Sequence, residues 1–308
     1  MADEITRREF LKATSGAAVA AGLGVKTRPA EAQEAGRRAD TRHLITSSAE
    51  WHPKKSLLFS MLPERLTLEE RLRLARDVGF EGVEAPPVSI EEAEKMRAAA
   101  EKAGVRLHSV IYGGWDAPLS DPDPAVVARG RRAVEAALHC ARALGADNVL
   151  LVPAIVTARV RYIHAYERSQ RQIRSLIPLA EGLKVTISVE EVWNNFLLSP
   201  LEFARYVDEL GSPFVQAYFD VGNVMAFGWP EDWIRTLGPR IHRVHLKDFK
   251  RDTRRFVNLR DGDVDWPEVR RAFREVGFQG YINCELSGGD EAYLRDVSGR
   301  VDKIIAGA

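Results

Sequence analysis

From Lys55 onward the sequence alternates strand-like and helix-like segments joined by short connections. No other feature constrains the fold as tightly. Short apolar runs read as strands at Ser56–Met61, Gly82–Ala85, Arg106–Tyr112, Asn148–Pro153, Val185–Glu190, Val215–Asp220, Ile241–Lys247 and Tyr281–Leu286. Between them lie segments with helical signals. Thr67–Val78 opens on a Thr cap with Glu69 and Glu70 in its first turn. Ser89–Ala103 is Ser-capped and stops at Gly104, and Pro124–Leu144 stops at Gly145. A fourth helix is expected over Tyr162–Gly182. The fifth begins at Ser199-Pro200, a cap followed by proline in the first turn, and stops at Gly211. A short helix near Glu231–Leu237, one over Trp266–Val276 and one ending near Ile305 complete the series. Eight β–α units over roughly 250 residues match a (β/α)8 TIM barrel. A doubly wound open sheet would want a glycine-rich phosphate turn after an early strand, and none appears.

The N-terminus reads as an address rather than as fold. Thr6-Arg7-Arg8-Glu9-Phe10-Leu11-Lys12 resembles the twin-arginine translocation signal at every position. An Ala- and Gly-rich stretch follows from Ala13 to Val25, and Ala30-Glu31-Ala32 offers small residues for cleavage. The expected layout is a signal peptide over 1–32, a linker or arm over 33–53 and the barrel over 54–308. The twin-arginine export machinery is then a partner and the periplasm the destination. As a property of that route, proteins cross already folded, so a metal could be loaded beforehand.

Lys+Arg and Asp+Glu both number 44, giving zero formal net charge. This balance gives no sign of nucleic acid or an anionic membrane surface as a bulk partner, and neither is expected. No apolar run reaches the roughly 20 residues a bilayer span needs, so no stable membrane insertion is expected. Cys140 falls in an expected helix and Cys284 in a distant strand, so both read as buried apolar fillers rather than a disulfide. A homodimer is the candidate assembly.

In such barrels the chemistry sits at the C-terminal ends of the strands. Those ends carry Glu84, His108, Glu190, Asp220, His245 and Glu285. Strand interiors seldom hold an Asp, because strands disfavour it and burial penalises it. Asp220, closing the run Gln216-Ala217-Tyr218-Phe219, therefore calls for a partner. Any one such residue could be a solvated loop group. Strands five to eight each delivering a metal-type ligand is a pattern. Alternation supports the inward assignment: with Glu190, His245 and Glu285 inward, Val185, Ile187, Val189, Val244, Leu246, Ile282 and Cys284 point outward against the helices. Three carboxylates and one imidazole suit one divalent ion, Mn2+, Mg2+ or Co2+, with Zn2+ also compatible.

Val189-Glu190-Glu191-Val192-Trp193-Asn194-Asn195-Phe196, Phe219-Asp220-Val221-Gly222-Asn223, Val244-His245-Leu246-Lys247-Asp248 and Cys284-Glu285-Leu286 together resemble the sugar isomerase/epimerase branch of the xylose-isomerase-like TIM barrels. The resemblance covers about residues 54–306. It implies that Glu190, Asp220, His245 and Glu285 are the metal ligands and that Glu190 and Glu285 are the acid/base pair. It favours Glu190 over Glu191, as does alternation. It places Asn223 where ketose 3-epimerases carry a histidine against the sugar, and Arg251 where they carry a substrate-contacting arginine. His108, Trp115, Lys247 and Glu84 are further substrate-binding candidates, Lys247 with Asp248 as an alternative partner. Gly262-Asp263-Val264-Asp265-Trp266 reads as a structural turn.

The chemistry implied is proton abstraction beside a carbonyl of a ketose or keto-sugar, giving an enediolate that a divalent cation stabilises. Two carboxylates can take a proton from one face and return one to the other. The expected activity is a metal-dependent sugar isomerase or epimerase. A keto-glycoside lyase or inosose-type dehydratase could use the same site. An endonuclease IV-like phosphodiesterase would need more histidines at strand ends than a chain with seven in all supplies. An exported carbohydrate-binding protein without catalysis would not need the paired carboxylates.

Overall fold

The computed structural model describes residues 51–308. The signal-like segment and residues 33–50 lie outside the described residues. Eight parallel strands close into one barrel. They are β1 (Lys54–Leu58), β2 (Gly82–Ala85), β3 (Arg106–Tyr112), β4 (Asn148–Leu151), β5 (Thr186–Glu190), β6 (Val215–Asp220), β7 (Ile241–Leu246) and, after a hairpin described below, β10 (Tyr281–Cys284). The order around the barrel is β1-β10-β7-β6-β5-β4-β3-β2, so sequence neighbours pair and β10 closes against β1. The helices between and after them are α1 (Leu68–Asp77), α2 (Ile90–Ala103), α3 (Pro124–Leu144), α4 (Tyr162–Leu183), α5 (Pro200–Leu210), α6 (Pro230–Leu237), α7 (Trp266–Glu275) and α8 (Glu291–Ala306). The expected (β/α)8 TIM barrel is the fold observed.

The caps behave as their residue types dictate. Thr67 accepts the Glu70 N–H while Glu70 accepts the Thr67 N–H, and Ser89 and Glu92 repeat this box at α2. Each such cap stabilises its helix by about 1 kcal/mol. Gly104, Gly145 and Gly211 stop their helices in the left-handed conformation. Helix α4 runs past Gly182, and Lys184 takes the left-handed position at φ 56° instead.

Two segments differ from the sequence expectation. The first strand ends at Leu58, because Phe59–Met61 turn into a short 3-10 helix. After β7 the chain forms an antiparallel hairpin, β8 (Asp248–Lys250) with β9 (Arg255–Val257), where only a loop was expected. Trp51, expected in the arm, is buried and stacks on Phe273 of α7 at 5.3 Å. Cys140 and Cys284 are buried and free. Among the described residues, no helix is long and apolar enough to cross a membrane.

The outward faces of β5, β7 and β10 are apolar and buried, as a helix-covered sheet demands: Ile187, Val189, Val244, Leu246, Ile282 and Cys284 are all inaccessible. The inward faces are polar. Ser188 donates to Asn148 Oδ1 at 2.5 Å, and Asn148 donates to Ser109 Oγ at 2.8 Å, forming a neutral chain across three strands. Ser188 shares its face with Glu190 two residues on, so the glutamate enters the mouth of the barrel.

Candidate metal centre

Glu190 ends β5, Asp220 ends β6, His245 lies in β7 and Glu285 follows β10. Each offers one ligand atom, and these atoms all lie within 4.8 Å of one another. Register explains the convergence: Asp220 sits opposite His245 across the β6–β7 ladder, and the Glu285 N–H binds the Leu246 carbonyl. His245 Nδ1 faces Glu190 Oε1 at 2.8 Å, Glu285 Oε2 at 2.7 Å and Asp220 Oδ2 at 3.8 Å. On the far side of the ring, Nε2 meets Glu84 Oε2 at 2.8 Å, and Asn283 donates to that same oxygen at 3.0 Å. A carboxylate behind a ligating histidine fixes the ring and its tautomer. Tyr218 lies against the ring with centroids 4.3 Å apart.

The donor set fits a hard divalent cation. Three carboxylates face a single ammonium, that of Lys247, which lies 3.1 Å from Asp220 Oδ2 and 2.9 Å from Glu285 Oε2. Neither oxygen has a well-directed hydrogen bond. A divalent cation would offset the mutual repulsion of these carboxylates beyond what Lys247 and His245 supply. Asp220 Oδ1 is meanwhile held by the Gly222 and Asn223 N–H groups, leaving Oδ2 for a ligand.

Environment separates the two outer carboxylates. Burial pushes Glu190 up, to about 7, against the pull of His245. Burial acts the same way on Glu285, but His245 and then Lys247 outweigh it and hold this carboxyl well below the usual range. Burial opposes the charged form of His245, and Glu285, Glu190 and Glu84 override it, raising the imidazole. Burial likewise opposes the charge on Lys247, and Asp220 and Glu285 more than restore it.

Glu191 is buried but faces away from the cluster. Its Oε1 accepts the Asp220 N–H at 2.9 Å, and burial, with Glu190 and Asp220 adding to it, raises its pKa well above the carboxylate range. Through that hydrogen bond it braces the end of β6.

The other candidates divide. Asn223 borders the cluster: its amide donates to the Glu191 carbonyl, and Lys247 Nζ lies 3.4 Å from its Oδ1. Lys247 pairs with Asp220 and Glu285 rather than Asp248. The Asp248 carboxylate instead holds the structural turn, accepting from the Phe249, Arg260 and Val264 N–H groups and the Trp266 indole. Gly262 is required there, because a Cβ would fall 2.1 Å from Asp248 Oδ1. Glu84 is wholly buried on the side of His245 away from Glu190 and Glu285, where its Oε2 meets Nε2 at 2.8 Å. His108 lies third in the seven-residue β3, well before its C-terminal end, where it stacks on Tyr281 at 4.2 Å and burial holds its pKa well below the usual imidazole value. Arg251 stacks on Trp229 at 4.0 Å and donates to the Gly228 carbonyl, so its guanidinium braces the segment after β6. Trp115 is half-exposed and lines a cavity with Ser120 and Arg159 that shares no residue with the one containing Lys247 and Glu285.

Reasoning from sequence missed Tyr218, Asn283 and Trp193. The first two stand two residues before Asp220 and Glu285, so alternation alone would have placed them inside. The Trp193 indole donates to the Asn223 carbonyl and its ring stacks on Phe256 at 5.0 Å, a contact that exists only once the hairpin forms.

The profile of the xylose isomerase-like TIM barrel matches residues 72–301. L-ribulose-5-phosphate 3-epimerase UlaE of Escherichia coli (strain SE11) is 27% identical over 235 residues, covering 70% of this chain and 81% of that protein. The crystal structure of a D-psicose 3-epimerase in the presence of D-fructose superposes with a TM-score of 0.70 at 19% identity, covering 83% of this chain and all of that one. The apo structure of 3-keto-D-glucoside 4-epimerase YcjR from E. coli gives 0.71 at 16% identity, covering 82% and 99%. The curated relatives are thus sugar epimerases, which supports a sugar-modifying enzyme.

Proposed function

The chain belongs to the xylose isomerase-like TIM barrel family, and on that premise we propose that it is a divalent-metal-dependent sugar isomerase or epimerase. One observation carries this reading: four ligand atoms from four adjacent barrel strands converge within 4.8 Å, two of them from carboxylates at the outer strands of the set. Glu190, Asp220, His245 and Glu285 would hold the ion. Once bound, it stabilises the negative charge that develops on the oxygens of a keto-sugar.

The chain's own residues do the rest. Strands β5 and β10 flank β6 and β7, so Glu190 and Glu285 approach a bound sugar from two sides. One carboxylate takes the proton beside the carbonyl, leaving an enediolate, and the other returns a proton to the opposite face. Glu84 and Asn283 hold His245 in place, and Lys247 holds Asp220 and Glu285. Elimination from a keto-glycoside begins with the same abstraction. The cavity lined by Lys247 and Glu285 offers room for the glycosidic substituent such a substrate carries. The twin-arginine-like segment supports action outside the cytoplasm.

Solvent deuterium exchange tests the reading. Metal-loaded protein in D2O, incubated with a panel of ketoses and 3-keto-glycosides, is expected to place deuterium on the carbon beside the carbonyl of at least one, seen by NMR. Glu285→Gln should slow that exchange by about 10²–10⁴-fold. No exchange with any sugar, or an unaltered rate in the variant, sinks the enediolate mechanism.

A further inference from the structure

The cavity containing Lys247 and Glu285 has a volume of about 460 Å³ and runs outward from the cluster. One wall is the hairpin strand β9, with Phe256 and Val257. The other is the segment joining β10 to α8, with Leu286 and Tyr293, and Leu58 adds to the apolar lining. Cavities of roughly 300–1,000 Å³ hold drug-sized ligands, and a single small sugar falls well below that size. Asn258 and Ser287 add polar groups to these walls, and Lys247 and Glu285 charge the floor. Phe256 is 42% exposed, yet it is held in place by Trp193, stacked behind it at 5.0 Å, and by Phe249 at 5.5 Å. Lys247 Nζ lies over the same ring, 5.3 Å from its centroid, so the platform Phe256 offers is the exposed remainder of the ring beside that ammonium.

Charge narrows the occupant further. Lys247 is the one cation lining this cavity, and it is already paired with Asp220 and Glu285. A phosphate, carrying nearly two negative charges, would lie beside the Glu285 carboxylate with no unpaired cation on the lining to meet it.

Resting on the sugar-isomerase reading of the same site, we propose that the substrate is a neutral glycoside. Its keto-sugar ring meets the cluster, and the ring of its glycosidic substituent stacks on Phe256 in the outer cavity. The apolar face of that substituent, a second sugar or an aryl group, covers the phenyl ring. The glycosidic bond then spans the step from the charged floor to Phe256, with Asn258 and Ser287 on the walls to meet hydroxyl groups.

Binding of unreactive probes tests this independently of turnover. Phenyl β-glucoside, glucose and glucose 6-phosphate are titrated by calorimetry into the Mn2+-loaded protein. The phenyl glucoside is expected to bind about tenfold more tightly than glucose, the scale of one aromatic stacking contact, and glucose 6-phosphate no more tightly than glucose. Phe256→Leu, which keeps apolar bulk in the hairpin but removes the ring face, should cut the phenyl-to-glucose ratio to about threefold or less. Phe256→Ala repeats the test, with circular dichroism reporting whether the hairpin region stays folded. Tightest binding of the phosphate, or a ratio unaltered by Phe256→Leu, overturns the proposal. If the preference holds while no sugar exchanges deuterium, the glycoside site stands and the enediolate mechanism falls.

Discussion

Strands β5, β6, β7 and β10 form one half of the barrel and β1–β4 the other, yet the two halves end differently. The first half delivers Glu190, Asp220, His245 and Glu285 to a single point. In the second, β1 ends on Leu58 and β4 on Leu151, both buried, and a neutral chain runs from Ser109 through Asn148 to Ser188 of the neighbouring β5. The Ser109–Asn148 pair meets its polar atoms with hydrogen bonds, whereas Asp220 Oδ2 and Glu285 Oε2 are left with the charge of Lys247 nearby and no hydrogen bond. Hydrogen-bonded neutral groups need nothing further. Clustered carboxylates remain in excess of their cations, and a site built that way is poised to take an ion. Glu84 of β2 crosses the divide. It is the one carboxylate of the second half that reaches the cluster, and it does so from behind His245.

If the halves differ as described, substitutions on either side should separate metal binding from stability. The larger effect is expected for Glu84→Gln. The amide can still contact His245 but no longer draws its ring proton as a carboxylate does, so metal affinity should fall by about 10–100-fold. Metal titration followed by calorimetry measures it, and an unchanged affinity would detach Glu84 from the site. The smaller effect is expected for Asn148→Ala. This leaves Ser109 and Ser188 without their shared partner, costing about 1–3 kcal/mol of stability in denaturant unfolding, with metal affinity unchanged. A loss of metal binding here would show that the neutral half also shapes the cluster.

Much of this division could be read from residue order. Apolar runs closed by Glu190, Asp220 and Glu285 marked the charged half, because an acid at the end of a buried strand has few reasons to be there. Caps at Thr67, Ser89 and Ser199 and left-handed glycines at 104, 145 and 211 fixed the helices through local chemistry. Depth within the barrel was not legible. Glu84 and Glu190 look alike in sequence, and only the register and tilt of the strands set one below His245 and the other beside it. His108 reads as a strand-end histidine, but β3 continues to Tyr112 and leaves it four residues short of the mouth. The hairpin was hidden because three-residue strands such as Arg255–Val257 are too short and too charged to show alternation. Phe256 and its pairing with Trp193 were hidden with it.

The central claim is that four strand ends hold one divalent ion. Calorimetric titration of Mn2+ into chelator-stripped protein, compared with Asp220→Asn, tests it most directly. One ion per chain is predicted for the natural sequence. In the variant, whose amide contributes no charge against Lys247, that binding should be lost or weakened by at least about a hundredfold. Absence of Mn2+ binding to the natural chain, or equal affinity in Asp220→Asn, would contradict the account.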